Sequence, residues 1–149
     1  MRVEAVAAED VRPLRGSVLR PGQAPDELVY PGDDHHDALH AAVRDTEGGG
    51  AIVGIATVAP EGHPRDPRPG DWRLRGMATA PEVRGRGLGA ALLAACLHHA
   101  RDRGGRRVWC NARVTAEGFY LRAGFVAEGP RFDLPDIGPH VVMAVSLRP

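Results

Sequence analysis

A run of alternating glycines, VRGRGLGAAL at residues 83–92, constrains the fold of this chain more than any other stretch. Residues 72–79, WRLRGMAT, precede it with the pattern of a strand, and apolar side chains recur at helical spacing after it. The first N–H groups of a helix have no partner within the helix and carry positive potential, and glycine lets a ligand approach the backbone closely. The order of strand, glycine turn and helix therefore predicts an anion site that suits a phosphate.

The length and charge of the chain limit the classes of protein it can belong to. At 149 residues it is predicted to form a single domain, residues 1–149. Lysine plus arginine (19) balance aspartate plus glutamate (19), so no net charge favours nucleic acid or a membrane surface. All of the basic residues are arginine, which is typical of GC-rich codon usage and weakens any functional argument from arginine content alone.

Two cysteines, Cys96 and Cys110, lack metal-site spacing and a pairing pattern, so both are predicted to be reduced and packed in the interior. The N-terminal residues lack a signal-peptide pattern, and no apolar run approaches the ~18 residues of a membrane span, which favours a cytoplasmic protein. Residues 33–37, DDHHD, carry side chains that bind metals, but adjacent residues do not easily converge on one ion. They are predicted to form a solvated loop, and no metal is expected.

Hydrophobic periodicity predicts a mixed α/β (α+β) fold with about seven strands and three helices. The first helix, residues 10–19, would be capped by Asp10 and would hold Pro13 in its first turn. The right-handed crossover rule places a strand at residues 107–111 parallel to the strand at residues 72–79. The other predicted elements are a hairpin of residues 38–44 and 51–59, strands at 2–6, 125–133 and 140–147, helices at 88–101 and 115–122, and loops at 21–37 and 60–70.

Three phosphate-binding interpretations compete for the glycine turn. A Walker-type loop needs a lysine to reach the phosphates, and the chain has none. Residues 85–90 match the dinucleotide pattern G-x-G-x-x-A, which expects its first glycine directly after a strand and an acidic residue about 20 positions later. Residues 80–83 intervene here, and residues 106–110 contain no acid, so a dinucleotide is disfavoured. A turn that only lets the helix pack closely on the strand is the structural alternative.

The third interpretation comes from a resemblance to a known family. RGRGLG at residues 84–89, after MAT at 77–79 and before an apolar helix, resembles the acetyl-CoA motif of the GCN5-related N-acetyltransferase (GNAT) superfamily. That motif reads Arg or Gln, two residues, Gly, one residue, and Gly or Ala. Asn111 and FYLRAGF at residues 119–125 resemble the second signature of the superfamily at the expected distance. GPHVVM at residues 138–143 is similar to the C-terminal pattern of small, uncharacterised bacterial members.

The resemblance implies a mixed, mostly antiparallel sheet flanked by helices, with a central parallel pair of strands that separates at the acetyl-CoA site. It implies that acetyl-CoA is the acetyl donor. The pyrophosphate would lie on the N–H groups of the glycine turn, and the pantetheine arm between the separated strands. The residues implied to bind acetyl-CoA are Met77, Ala78, Thr79, Arg84, Gly85, Arg86, Gly87, Leu88, Gly89, Ala90, Asn111 and Tyr120.

Three of these residues receive roles from the resemblance. The N–H of Met77 would face the thioester oxygen, Asn111 would hydrogen-bond the pantetheine, and Tyr120 would donate a proton to the departing thiolate as general acid. Two of them have structural alternatives, since Asn111 also suits a strand-end cap and Tyr120 also suits packing beside Phe119 under the sheet.

No general base is evident from the sequence. An amine acceptor must lose a proton, so a histidine, a carboxylate or a water chain should accept it. Some relatives carry a glutamate on the strand where this chain carries Arg73 and Arg75, which leaves the base unassigned. The candidates are His140, Asp133 and Asp136.

The predicted function is direct transfer of acetyl from acetyl-CoA, in a ternary complex, to the primary amine of a small molecule or peptide. Arg73, Arg75 and Arg113 would suit an acceptor with a carboxylate or phosphate, although the arginine-only composition weakens that argument. The alternatives are a catalytically silent module that binds acyl-CoA as a regulator or partner, and a nucleotide-binding protein. Nucleic acid and membranes are not expected partners; homodimers are common in the superfamily, but nothing in this sequence demonstrates one.

Overall fold

The computed structural model describes residues 2–46, 50–135 and 137–147, and seven strands form a sheet within them. The strands are β1 (Val3–Ala5), β2 (Leu39–Asp45), β3 (Ala51–Pro60), β4 (Asp71–Thr79), β5 (Arg107–Arg113), β6 (Val126–Leu134) and β7 (Gly138–Ser146). The α-helices are α1 (Ala8–Leu14), α2 (Leu88–Asp102) and α3 (Glu117–Arg122), with a π-helical turn at Arg15–Leu19 and short 3₁₀ turns at Pro25–Leu28, Pro81–Val83 and Val114–Ala116.

The strands lie in the order β1-β2-β3-β4-β5-β7-β6. β4 and β5 run parallel, and the other neighbouring strands pair antiparallel. The predicted mixed, mostly antiparallel sheet of seven strands is therefore confirmed, as are the parallel pair and the β2–β3 hairpin. The turn of that hairpin includes residues 47–49, which lie outside the described residues.

A β-bulge interrupts β4 where the strand separates from β5. The β3 partners of Arg75 and Ala78 are two positions apart, whereas Arg75 and Ala78 are themselves three apart. Gly76 takes a positive φ of 67° inside this bulge, a backbone conformation that favours glycine. On its other edge β4 pairs with β5 only as far as Arg73, opposite Trp109. Beyond that pair the facing edges of the two parallel strands have no ladder between them, which leaves room for a ligand.

Helix α2 packs against one face of the sheet. Leu92, Cys96 and Ala100 recur at four-residue spacing and are completely buried in the main core. Cys96 and Cys110 are free and buried, as predicted, and burial raises the pKa of each thiol to about 12. Among the helices of the described residues, none has the length and apolar character needed to cross a membrane.

The first helix begins earlier than predicted. Its N-cap is Ala7, and Asp10 lies within the first turn, where its carboxylate accepts a hydrogen bond from the Ala7 N–H at 3.2 Å. Because the helix starts at Ala8, Pro13 lies beyond its first turn, contrary to the prediction, and supplies no N–H to the helix. The helix then widens into the π-helical turn Arg15–Leu19.

The prediction of a solvated loop at residues 33–37 is wrong at Asp33. Its carboxylate forms a two-pronged ion pair with Arg15, with N–O distances of 2.6 and 2.9 Å, and Arg15 is completely buried. Hydrophobic patterning did not reveal this pair, because the two residues are 18 positions apart and neither lies in a periodic apolar segment. The Arg15–Asp33 ion pair therefore connects the loop at residues 33–37 to the C-terminal end of helix α1.

Candidate active site

A groove of about 710 Å³ runs along the glycine turn, between the end of β4 and the start of α2. Gly85 and Gly87 line it with positive φ values of 82° and 79°. A Cβ built on either residue meets no atom within 4 Å, so their backbones face open space. Gly89 differs, since a Cβ there would lie 3.3 Å from the Phe119 ring. Two glycines therefore shape the turn, and the third lets α2 pack closely.

The N-terminus of α2 forms one end of this groove. Gly87 is its N-cap and supplies no side-chain cap, and the first helical hydrogen bond runs from the Ala91 N–H to the Gly87 carbonyl at 3.2 Å. The preceding N–H groups of the first turn therefore have no partner within the helix. The first turn holds no acidic residue, and three arginines, Arg84, Arg113 and Arg122, line the groove. This donor set fits a pyrophosphate.

Most of the residues predicted to bind acetyl-CoA line this groove. They are Met77, Ala78, Thr79, Arg84, Gly85, Gly87, Leu88, Gly89 and Ala90. Arg86 is exposed in the turn and is not part of the groove wall. Asn111 and Tyr120 line an adjoining cavity instead.

The adjoining cavity, of about 200 Å³, opens where β4 and β5 separate. The two spaces share wall residues: Leu19, Met77, Arg113, Ala116 and Phe119. A ligand in the groove can therefore extend into the cavity beside the β4 bulge. The rest of the cavity wall comes from distant parts of the chain: Arg20, Tyr30, Arg73, Leu74, Arg75, Gly76, Cys110, Asn111, Ala112, Tyr120, Leu134 and His140.

Tyr120 both packs in the core and faces the cavity. It is 7% exposed, and its ring contacts the rings of Phe119 and Phe125 at centroid distances of 5.0 and 5.3 Å. Burial raises the pKa of its phenol far above the usual value, and an interaction with Cys110 acts in the same direction. The phenol is therefore protonated at neutral pH, which is the form that a proton donor requires.

His140 is the one of the three base candidates found in the cavity wall among the described residues. Its Nδ1 lies 2.8 Å from the Gly138 carbonyl oxygen. Because a carbonyl only accepts hydrogen bonds, Nδ1 carries the proton and Nε2 of the neutral ring carries a lone pair. Asp133 is exposed on β6 and does not line the cavity, and Asp136 lies outside the described residues.

The charge of the cavity wall is one-sided. Arg20, Arg73, Arg75 and Arg113 line it, and no aspartate or glutamate is among the lining residues described. Glu61, outside the wall, accepts a hydrogen bond from Arg73 at 2.9 Å but lies 3.9 Å from Arg75. The cavity therefore holds more positive than negative charge.

Arg75 in particular has buried donors without acceptors. Its Nε and Nη1 atoms are buried with no hydrogen-bond partner, and so is Nε of Arg73. Burial lowers the pKa of Arg75 to about 10, and repulsion from Arg73 adds to this, so the guanidinium remains charged at neutral pH. An unpartnered buried donor is unfavourable unless a ligand supplies the acceptor.

The sequence interpretation did not assign a role to the wall residues Tyr30 and Arg20, although it placed the loop that contains Tyr30 at the acceptor pocket. Both lie in or beside the proline- and glycine-rich segment at residues 21–37, which has no hydrophobic period to place it. Tyr30 is the only phenylalanine, tyrosine or tryptophan of that segment, and this was the one sequence signal that could have identified it as a binding residue.

Among the described residues, three neighbouring side chains of metal-binding types lie close together: His35, His36 and Asp37. One ligand atom from each lies within 4.8 Å of the others. His36 is exposed, and the His35 Nδ1 atom already accepts a hydrogen bond from the Asp37 N–H at 3.0 Å. This group lies on the surface and is not part of the groove or cavity wall.

Comparisons with known proteins agree with this geometry. The model of the acetyltransferase (GNAT) family matches residues 8–125. The N-acetyltransferase YitI of Bacillus subtilis (strain 168), itself uncharacterised, is 33% identical over 148 residues, which is 99% of this chain and 97% of YitI. An aminoglycoside 6'-N-acetyltransferase solved with coenzyme A superposes with a TM-score of 0.72 at 14% identity, over 100% of this chain and 98% of that one. The corresponding enzyme of Enterococcus faecium gives 0.75 at 14% identity over the same shares. The chain therefore belongs to the GNAT family of acetyltransferases.

Proposed function

We propose that this protein transfers acetyl from acetyl-CoA directly to the primary amine of a small molecule that carries a negatively charged group. The observation that carries the proposal is the cavity at the separation of β4 and β5, which joins the glycine-turn groove to a wall of four arginines and one histidine. The groove suits the donor, and the cavity suits the acceptor.

The donor side follows from the groove. The free N–H groups at the start of α2 and the guanidinium groups of Arg84 and Arg122 bind the pyrophosphate. The edges of β4 and β5 without a ladder, together with Asn111, hydrogen-bond the pantetheine arm. This arrangement brings the thioester to the β4 bulge, beside Met77.

The chemistry needs a place for negative charge and two proton transfers. When the amine nitrogen attacks the thioester carbon, a C–N bond forms and the C–S bond breaks. The Met77 N–H stabilises the charge that develops on the carbonyl oxygen. Tyr120 donates its phenolic proton to the departing sulfur, and Nε2 of His140 accepts the proton that the amine must lose.

The acceptor class follows from the charge of the cavity. Four arginines and no described carboxylate repel a cationic, polyamine-like acceptor and favour an anionic one. The unpartnered donors of Arg75 suit a carboxylate or a phosphate, since the oxygens of either group can accept charge-assisted hydrogen bonds. The volume of about 200 Å³ fits a small metabolite, not a folded protein segment.

The test is release of free coenzyme A from acetyl-CoA with three acceptors that share one primary amine: serinamide, serine and O-phosphoserine. We expect kcat/KM to rise about tenfold or more with each added anionic group, because charge-assisted hydrogen bonds contribute about 1.5–3 kcal/mol each. Equal rates with all three would contradict the anionic acceptor. Calorimetric binding of acetyl-CoA without thiol release, over a wide amine panel, would instead identify a silent acyl-CoA-binding module.

A further inference from the structure

We infer that Tyr30 is a positioning residue for the acceptor side of the cavity, because its ring holds the Arg75 guanidinium in place without neutralising the charge. The inference rests on the proposed function and names a specificity-determining contact within it. Three observations support it. They are the buried Arg15–Asp33 ion pair that holds Tyr30, the contact between the Tyr30 ring and the Arg75 guanidinium, and the Arg75 donors that have no hydrogen-bond partner.

The buried ion pair makes Arg15 a fixed structural cation. Its Nη1 and Nη2 atoms donate to Asp33 at 2.6 and 2.9 Å, and also to the Leu28 carbonyl at 2.8 Å and the Thr57 hydroxyl at 2.9 Å. Although burial alone raises the Asp33 pKa, hydrogen bonds from Arg15 and the Tyr30 N–H lower it below the usual value. Arg15 is therefore neutralised and has no charge to offer a ligand.

The same ion pair holds Tyr30. The Tyr30 N–H donates to the Asp33 carboxylate at 2.9 Å, and the centre of the Arg15 guanidinium lies 4.0 Å from the Tyr30 ring centroid. The backbone and the ring of Tyr30 are thus both attached to the buried Arg15–Asp33 ion pair. Tyr30 is a rigid surface within a segment that has little regular structure.

Arg75 lies against this ring, and the Glu61 carboxylate is near it but beyond hydrogen-bond distance. Its guanidinium centre is 4.9 Å from the Tyr30 centroid, while the nearest carboxylate, on Glu61, is 3.9 Å from Nη1 and already bonded to Arg73. A carboxylate in direct contact would fix Arg75 but cancel its charge. An aromatic face attracts the cation and leaves its N–H groups free for an acceptor anion.

The β4 bulge contributes to the same arrangement. A Cβ on Gly76 would lie 3.2 Å from Arg15 Nε and 3.5 Å from the Tyr30 ring. The absence of a side chain at Gly76 therefore lets Tyr30 and Arg15 approach the strand that carries Arg75 and the Met77 N–H. The bulge therefore links the position of Met77, on the proposed donor side, to the position of Arg75, on the proposed acceptor side.

The experiment measures binding of inorganic phosphate by calorimetry, without turnover, to the wild type and to Tyr30→Phe, Tyr30→Leu and Arg75→Gln variants. We expect Tyr30→Phe to keep the wild-type affinity and Tyr30→Leu to lose about tenfold, as removal of a partly desolvated cation–π contact predicts. In the Arg75→Gln background, Tyr30→Leu should cause no further loss. An equal loss in both backgrounds, or a loss in Tyr30→Phe equal to that in Tyr30→Leu, would overturn the inference.

Turnover separates this inference from the proposed function. With O-phosphoserine as acceptor, Tyr30→Leu should raise the acceptor KM about tenfold and leave the acetyl-CoA KM unchanged, and Tyr30→Phe should restore the acceptor KM. A Tyr30→Leu enzyme with wild-type KM for O-phosphoserine would reject the positioning role while the proposed function stands. Phosphate binding that depends on Tyr30 in a protein without transferase activity would reject the proposed function alone.

Discussion

The glycine-turn groove and the cavity beside the β4 bulge adjoin at Met77 but are built in opposite ways. The groove comes largely from one continuous stretch, the end of β4, the glycine turn and the start of α2, and it uses backbone N–H groups. The cavity draws side chains from the end of the π-helical turn, the loop before β2, helix α3, and strands β4, β5, β6 and β7. A backbone site tolerates changes of side chain, whereas a side-chain site can change its ligand by single substitutions.

The largest expected effect comes from breaking the Arg15–Asp33 ion pair, which holds the cavity residue Tyr30. Asp33→Asn leaves the Arg15 cation buried without a counter-ion and should lower the free energy of unfolding by about 3–5 kcal/mol, measured by urea denaturation. Asp34→Asn, at an exposed neighbour, is the matched control and should change it by less than about 0.5 kcal/mol. A loss below about 1 kcal/mol at Asp33 would show that the ion pair does not support the cavity.

The Arg15–Asp33 ion pair also predicts how the free energy of unfolding depends on pH. Because the folded-state pKa of Asp33 is lowered, its contribution to stability is fully present above the unfolded-state value of about 3.9. That contribution is lost as the pH falls through the folded-state pKa. The urea midpoint of the wild type should therefore fall in acid more steeply than that of Asp33→Asn.

The second effect tests the acceptor side of the chemistry. His140→Gln removes the proposed base and should lower kcat about 1,000-fold at neutral pH, because general base catalysis contributes factors of this order. The loss should shrink as the pH is raised, since more acceptor amine is then unprotonated. Affinity for acetyl-CoA, measured by calorimetry, should not change, and an unchanged kcat would remove His140 from the mechanism.

The third effect lies at the junction of the two regions. Tyr120→Phe keeps the packing against Phe119 and Phe125 but removes the proton donor, and should lower kcat about 100-fold. The thermal midpoint should change little, because the ring contacts remain. Wild-type turnover would mean that Tyr120 serves packing only.

The fourth effect distinguishes two neighbouring arginines of the cavity. Arg75→Gln removes the guanidinium with unpartnered donors and should raise the KM for O-phosphoserine about 30-fold, with little change for serinamide. Arg73→Gln removes an arginine that is hydrogen-bonded to Glu61 at 2.9 Å, whereas Arg75 is 3.9 Å from that carboxylate. Arg73→Gln should therefore change the KM by less. If Arg73→Gln had the larger effect, the anion would bind at Arg73.

The smallest effect tests the donor groove. Gly87→Ala puts a Cβ on a backbone with a φ of 79°, which costs about 1–2 kcal/mol and should weaken acetyl-CoA binding about tenfold. The acceptor KM should stay unchanged. The matched control is Gly104→Ala, which has a similar φ of 81° at the far end of α2 and should leave acetyl-CoA affinity unaltered.

Much of the fold could be predicted, because it depends on local patterns. The seven strands, helix α2, the parallel pair and the β2–β3 hairpin all follow from hydrophobic periods, turn residues and crossover handedness. The errors occur where local rules compete with tertiary packing. Pro13 is accepted inside a helix, and Asp33 is buried despite its polar neighbours, because Arg15 supplies a partner from another segment.

The sequence by itself determined the glycine-turn groove of this protein, since strand, glycine turn and helix are contiguous and glycine conformation and helix N–H groups are local properties. It also supplied the family, through two motifs in register. The tertiary structure alone decided which charges line the cavity. Arg75 and Arg73 are equivalent in sequence, yet Arg73 donates a hydrogen bond to Glu61 at 2.9 Å, whereas Arg75 is 3.9 Å from that carboxylate and lies against the Tyr30 ring. Only the folded chain brings these partners within contact distance.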